Sequence, residues 1–378
     1  MGFKKHSILI FFSLLFLSVW RYEFRGVVDF WWSKWTIALV FCAVLASYHI
    51  YKKFHITIAL SFLWVVLTGL YTFSFYDNQY ASNALRTQIL LKYFSAYATF
   101  CFISLCYAAF KLQKYRSSVL ASLAWLCLLN SFYVIGQWLC GFHFLNRGGF
   151  WGNGSNNACL IAFTYPLLWL LPISNKHLKR FLFVAPVVAI MVSKTSVPVG
   201  TLLAALCTYF FFTIKSRKKY IIMAILVSSL FTIGHIYGKY ASENHASFFY
   251  TSGRIEFNTM VLKDFIETGN LFIGQGVGTF NVFGPLIQIK NNYLVGSWFI
   301  WSHSDWVQSA HETGFIGFAL YFIMCIAVII FGIKRKEYEL LACFVAYLAC
   351  ALMNFPNHYP IHAFCGLSFI ACLTVRKK

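Results

Sequence analysis

The chain has 378 residues, of which 60% are hydrophobic and only 11% charged, with a mean hydropathy of +0.67. A soluble domain carries about 25% charged residues, so the composition excludes a sizeable water-soluble domain. The formal net charge of +20 would point to nucleic acid in a soluble protein; here no nucleic-acid partner is expected, because basic residues in a membrane chain record topology.

Continuous apolar runs recur from end to end, most of them close to the length that crosses about 30 Å of hydrocarbon, the first and seventh being short. They do not alternate, so helices rather than barrel strands are expected. In chain order the predicted spans are 7–20, 34–50, 56–76, 89–110, 117–139, 157–174, 181–193, 196–214, 220–237, 310–333, 338–353 and 359–375. The first follows Lys4-Lys5 like a signal peptide, but Arg21-Tyr22-Glu23-Phe24 offers no small-x-small cleavage site. An uncleaved helix is the expectation. The seventh and eighth spans read equally well as one tight hairpin. The resulting fold class is an all-α polytopic bundle of about twelve helices, a single integral membrane domain over residues 1–378.

Basic residues collect in alternate connections. Lys4/Lys5, Lys52/Lys53, Lys111/Lys114/Arg116, Lys176/Lys179/Arg180, Lys215/Arg217/Lys218/Lys219, Lys334/Arg335/Lys336 and Arg376/Lys377/Lys378 hold 20 of the 31 Lys and Arg. The positive-inside rule then places both termini in the cytoplasm of a multi-pass inner-membrane protein. Arg86, Arg147, Lys194, Arg254 and Lys263 fall on or near the opposite side. An ionisable residue without a topological purpose is a functional candidate. The cysteines, such as Cys343 and Cys350, lie in apolar runs without CxxC spacing and read as small buried hydrophobes.

Residues 238–309 form one long outer loop. Within it, Ile255, Met260, Val261, Phe265 and Ile266 recur at helical spacing opposite Glu256, Lys263, Asp264 and Glu267, which predicts a short amphipathic interfacial helix. The loop is too rich in apolar residues for disorder and reads as a folded cap over a membrane-facing cavity.

Five segments carry candidate chemistry, each with a plainer alternative. In Trp301–Gly317, His303 can accept a hydroxyl proton, beside Ser304 and Asp305, or it can hydrogen-bond at the interface. Gly314 and Gly317 would let a neighbouring helix approach. Arg254, after Ser252-Gly253, suits bidentate phosphate binding or snorkelling to headgroups. Lys194 is a point-charge phosphate partner or the mark of a turn. Asn146–Asn157, with Arg147, Asn153 and Asn157, offers donors and open backbone to polyhydroxyl or phosphate groups, or is an ordinary capped turn. Gly274-x-Gly276-x-Gly278 lacks the strand–helix context of a nucleotide loop and reads as close packing or a turn. No metal-ligand spacing and no GxSxG elbow occur. Carboxylates are nearly absent from the spans, which argues against an ion-coupled transporter.

His303-Ser304, nine residues and Gly314-x-x-Gly317 together resemble the signature of the bacterial O-antigen ligases and the related O-antigen polymerases. Arg147–Asn157, Ser193-Lys194, Ser252-Gly253-Arg254, Gly274-x-Gly276-x-Gly278-x-Phe280 and Asn354-Phe355-Pro356 resemble further motifs of that superfamily, in its order. The resemblance covers about residues 146–360. It implies glycan transfer from undecaprenyl diphosphate to a lipid A-core hydroxyl on the periplasmic face, without cofactor, nucleotide or obligatory metal. It also implies that Arg254 binds the diphosphate, Lys194 assists, and His303 activates the acceptor. Many ligases have arginine where this chain has Lys194, so the bidentate fork is lost there. A polymerase would use a second lipid-linked glycan as acceptor, and a polysaccharide or lipid transporter is the competing class. A transporter should line a path through both membrane faces, whereas the unusual residues here share one face.

Overall fold

The computed structural model describes residues 113–141, 154–216, 254–276, 279–293, 302–354 and 360–374, with a few isolated positions besides. All regular structure among them is helical. The helices are α1 (Gln113–Leu139), α2 (Gly154–Thr164, continued as a 3-10 turn over Tyr165–Leu170), α3 (Lys176–Val192), α4 (Ser196–Thr213), α5 (Arg254–Glu267), α6 (Phe280–Lys290), α7 (Asp305–Arg335), α8 (Tyr338–Met353) and α9 (Pro360–Thr374). Three stretches, Val119–Leu139, Ser196–Thr213 and Asp305–Arg335, are long and apolar enough to cross a membrane. This architecture is compatible with a membrane protein. The predicted spans 7–20, 34–50, 56–76 and 89–110 lie outside the described residues, as does most of 220–237.

Helix α8 is the hub, packing on α4, α7, α9 and α2. Leu340, Leu341, Cys343, Phe344, Tyr347 and Cys350 are all buried. A helix apolar all round belongs in an interior, and its alanines and cysteines let neighbours approach closely. Gly366 of α9 serves the same purpose, since a Cβ there would stand 2.6 Å from the Tyr347 ring. Among the described residues the cysteines are free, and most are buried.

Helices α3 and α4 do not form a closed hairpin. Asn175 caps α3, its side chain accepting from the backbone N–H of His177 and Leu178. Helix α3 packs chiefly on α1, whereas α4 packs on α8 and α2.

Helix α7 departs most from expectation. Gly314 has φ 66° and ψ −176°, which interrupts the helix. The Trp306 ring lies 6.0 Å from Phe318, 5.3 Å from Tyr321 and 6.1 Å from Phe322. In a straight helix these residues would be roughly 18–24 Å along the axis. The chain therefore folds back at Gly314, and a 305–313 arm runs against the beginning of a 315–335 arm. The predicted close approach at this glycine is real, but its partner is a loop rather than a helix. A Cβ on Gly314 would stand 2.3 Å from the Phe272 carbonyl oxygen, and one on Gly274 would stand 2.4 Å from the Gly314 nitrogen. Backbone hydrogen bonds lock the contact: Gln275 to His311, Gly276 to Glu312 and Phe315 to Leu271.

A second, smaller cluster is built from α5, α6 and the 305–313 arm. Phe257 and Val261 pack against Phe280 and Ile287, with Val307 at the edge. This corrects the predicted apolar face of α5: Phe257, Asn258, Val261, Asp264 and Phe265 are buried, while Ile255 and Ile266 are exposed. Asp264 crosses from the expected polar face because it meets Lys290, 3.2 Å away, and His311, 3.7 Å away.

The two ends of the bundle differ in chemistry. At one end, Arg116 pairs with buried Glu337 in the α7–α8 turn, and Arg335 donates to the carbonyls of Leu373 and Thr374. At the other end, the α8 C-terminus meets α2, α5 and the start of α7.

Candidate active site

The site grows from a helix terminus. The last carbonyls of α8 have no partner within the helix, and residues distant in sequence supply the donors. Arg254 Nη1 donates to the Met353 carbonyl at 2.9 Å. The Asp305 backbone N–H donates to the Asn354 carbonyl at 3.1 Å; further back, within the helix, the Leu348 carbonyl accepts from Trp306 Nε1 at 3.2 Å. A guanidinium suits the partial negative charge of a helix C-terminus.

Asn354 joins this terminus to α2. Its side-chain amide donates to Asn156 Oδ1 at 2.8 Å. The Asn156 carbonyl accepts from His362 Nε2 at 2.7 Å, which puts the ring proton on that nitrogen. Asn157 accepts from Asn130 of α1. These four asparagines are buried, and such groups hold their places because leaving one unbonded is costly.

His303 sits on a tight turn between two serines. Ser302 Oγ donates to the Ser304 carbonyl at 2.6 Å and accepts the Ser304 N–H at 3.1 Å. The turn holds His303 at φ 58°, a left-handed conformation uncommon outside glycine. Backbone strain of this kind gathers at functional sites. Burial, and then the charge of Arg254, push the imidazole down from 6.5 to about 4, so it is neutral at physiological pH.

Ser304 is the N-cap of α7, its Oγ accepting from Val307 N at 3.4 Å. Asp305 is buried in the first turn, where a carboxylate favours the helix dipole. Both residues therefore have structural work at the positions expected to contact substrate.

The arm behind His303 carries a second polar line. The Ser302 N–H reaches Gln308 Oε1 at 3.4 Å, and Gln308 Nε2 donates to Glu312 Oε1 at 3.0 Å. Glu312 also accepts the Phe280 N–H, at 3.3 Å, and so anchors the start of α6. His311, fully buried, is boxed by Phe265, Phe280 and Phe283. The His311 imidazole holds the Asp264 carboxyl below its usual range; burial opposes this and Lys290 reinforces it.

The structure thus brings together His303, Ser304, Asp305, Arg254 and Asn157 through Asn354 and Asn156. Lys194 stands in the α3–α4 turn at φ 55°, exposed. It is at the same end of the bundle, since α4 runs from there along α8, but no contact among the described residues ties its ammonium to the set. Arg147 and Asn153 lie outside the described residues.

Sequence reasoning passed over Asn130 and His362, and gave Gln308 and Glu312 no role of their own within the Trp301–Gly317 segment. A polar residue inside an apolar run was their available signal. Arginine and asparagine donors at a helix terminus beside a neutral imidazole can bind an anionic group and accept a proton from a hydroxyl. In comparisons with known proteins, no family model and no curated sequence matches the chain.

Proposed function

We propose that the chain is an O-antigen ligase-like glycosyltransferase of the inner membrane, moving a glycan from undecaprenyl diphosphate to a lipid A-core hydroxyl. In this reading it has about twelve spanning helices and both termini in the cytoplasm. The Arg116–Glu337 end faces the cytoplasm, and the His303 end faces the periplasm. One observation carries the reading: segments that resemble the superfamily motifs, far apart in sequence, meet at one end of the bundle. Asn156-Asn157, Arg254, His303-Ser304 and Asn354 are linked there by hydrogen bonds or by charge.

The chemistry follows from the residues. Arg254 holds the diphosphate, with Lys194 assisting, and Arg147, Asn153, Asn157, Ser304 and Asp305 belong to the surrounding substrate site. His303, neutral before substrate binds, takes the proton of the acceptor hydroxyl. The acceptor oxygen attacks the anomeric carbon in line, a new C–O bond forms, and the bond to the diphosphate oxygen breaks. The electron pair leaves with undecaprenyl diphosphate, and Arg254 stabilises the growing negative charge. Attack opposite the leaving group inverts the anomeric centre.

Electrophoresis of lipopolysaccharide from a deletion strain tests the reading. Loss of all O-chains is expected, restored by the wild-type gene but not by His303→Ala or Arg254→Ala at normal protein abundance. Cores capped with a single repeat unit would assign a polymerase instead. Unchanged lipopolysaccharide, or full activity of both variants, would overturn the assignment.

A further inference from the structure

Helix α5 has three faces rather than two. Phe257, Val261 and Phe265 pack inward. Glu256, Lys263 and Glu267 form a solvated side, with Lys263 and Glu267 3.8 Å apart and Lys290 2.9 Å from Glu267. Between these two runs a bare apolar strip: Ile255 is 54% exposed, Leu262 41% and Ile266 64%. At 3.6 residues per turn these three fall on one line. Thr259 shares the line and is exposed, but its hydroxyl is taken up in donating to the Ile255 carbonyl at 2.9 Å.

The fold-back at Gly314 fixes where the strip lies. The 315–335 arm is about 31 Å long at 1.5 Å per residue, the thickness of the hydrocarbon layer. Lys334, Arg335 and Lys336 mark one margin, so Phe315 marks the other. Trp306 packs on Phe318, Tyr321 and Phe322, roughly 5–10 Å inside that margin. Arg254, at the start of α5, reaches the α8 terminus on the same level as Asp305. Phe265, near its end, stacks edge-on to Phe315 at 5.4 Å. Helix α5 thus lies alongside the last turns of the spanning arm, not above them. Phe315 and Phe322 of that arm are themselves half exposed, and Ile266 of the strip directly follows Phe265, which is seated on Phe315.

We propose that the Ile255–Leu262–Ile266 strip of α5 is immersed among lipid acyl chains of the leaflet on the Asn354 side, making the α5–α6 cluster a wall within the membrane. Acyl chains are favoured over a protein partner because the strip carries no charge and its helix is seated, through Phe265, on the half-exposed Phe315 of the spanning arm. The inference depends on the membrane setting and not on the proposed transfer reaction.

Photo-crosslinking tests it in the full chain, reconstituted in vesicles of phosphatidylethanolamine and phosphatidylglycerol. Benzoylphenylalanine is placed at Leu262 or Ile266, with Phe322 as the lipid-facing reference and Lys263 as the solvated one. Mass spectrometry should find lipid adducts at 262 and 266 at the yield of 322, several-fold above 263. Crosslinks to a second copy or to another segment of this chain would overturn the proposal. A lipid yield no higher than that at 263 would do the same.

Discussion

His303 combines a left-handed backbone with an imidazole kept neutral by burial and by Arg254. Alanine at this position loses both the ring and some backbone preference, whereas asparagine tolerates the left-handed region. His303→Asn therefore isolates the proton-accepting role. It should lower transfer by about 10²- to 10⁴-fold, the usual weight of a general base, with an unchanged melting temperature at pH 7. The pH dependence carries a definite sign. The folded pKa is depressed to about 4 from 6.5, so the contribution of the neutral ring to stability is complete above about pH 6.5 and is lost as pH falls towards 4. The acid limb of kcat/KM should accordingly fall near pH 4 rather than 6.5. Arg254→Gln removes the second cause of that depression, and its residual activity should show the limb moved upward. A limb at 6.5 in the wild type would mean that burial and Arg254 do not depress the imidazole in the working enzyme. Sequence alone singled out His303 and Arg254 as types and loop positions. It could not show that Arg254 also caps α8 through Met353, because that contact spans about a hundred residues.

Continuous apolar runs located most of the described helices well, because those runs are long and uniform; α6, inside the expected long loop, was not placed. The predicted spans 196–214, 338–353 and 359–375 coincide closely with α4, α8 and α9. What periodicity does not register is a reversal inside one apolar run. The 305–313 and 315–335 arms are both helical, and one glycine at φ 66° separates them. Likewise the buried face of α5 was misjudged, because Asp264 is buried by partners on α6 and α7 that local spacing does not contain. The fold-back predicts a severe effect at Gly314. Gly314→Ala would force an alanine into a backbone region open essentially to glycine alone (φ 66°, ψ −176°), about 1–3 kcal/mol, and would press a methyl into the Phe272 carbonyl, where overpacking adds about 1–3 kcal/mol. Gly274→Ala meets the reciprocal wall. Each variant should show a lower melting temperature and faster proteolysis in 254–293, along with lost transfer. Gly269→Ala provides the control: it shares the positive φ but has open space for a Cβ, so only the smaller backbone penalty applies. Equal stability of Gly314→Ala and Gly269→Ala would mean that the loop does not seat against the reversal.

On the scale of the whole molecule, two polar systems hold opposite ends of an apolar bundle. One is the asparagine and arginine assembly around the α8 C-terminus. The other is Arg116 with Glu337, which ties the start of α1 to the α7–α8 turn across 221 positions of sequence. The alternation of basic connections placed Arg116 and Lys334–Lys336 on one side before any contact was known. The pairing itself was invisible, since Glu337 reads only as one acid among many bases. Both partners are largely buried, at 13% and 5% exposure. Removing one member of such a pair strands the other charge, at about 3–5 kcal/mol. Arg116→Ala and Glu337→Ala should each lower the melting temperature of the detergent-solubilised protein by several degrees. Arg116→Leu/Glu337→Leu should recover much of that loss, because two apolar groups leave no stranded charge. The exchange Arg116→Glu/Glu337→Arg should recover less, since it sets a further arginine directly beside Lys334, Arg335 and Lys336. If the double leucine variant is no more stable than the worse single variant, the ion pair does not couple α1 to the α7–α8 turn. The stability of this end would then rest on the packing of α8 alone.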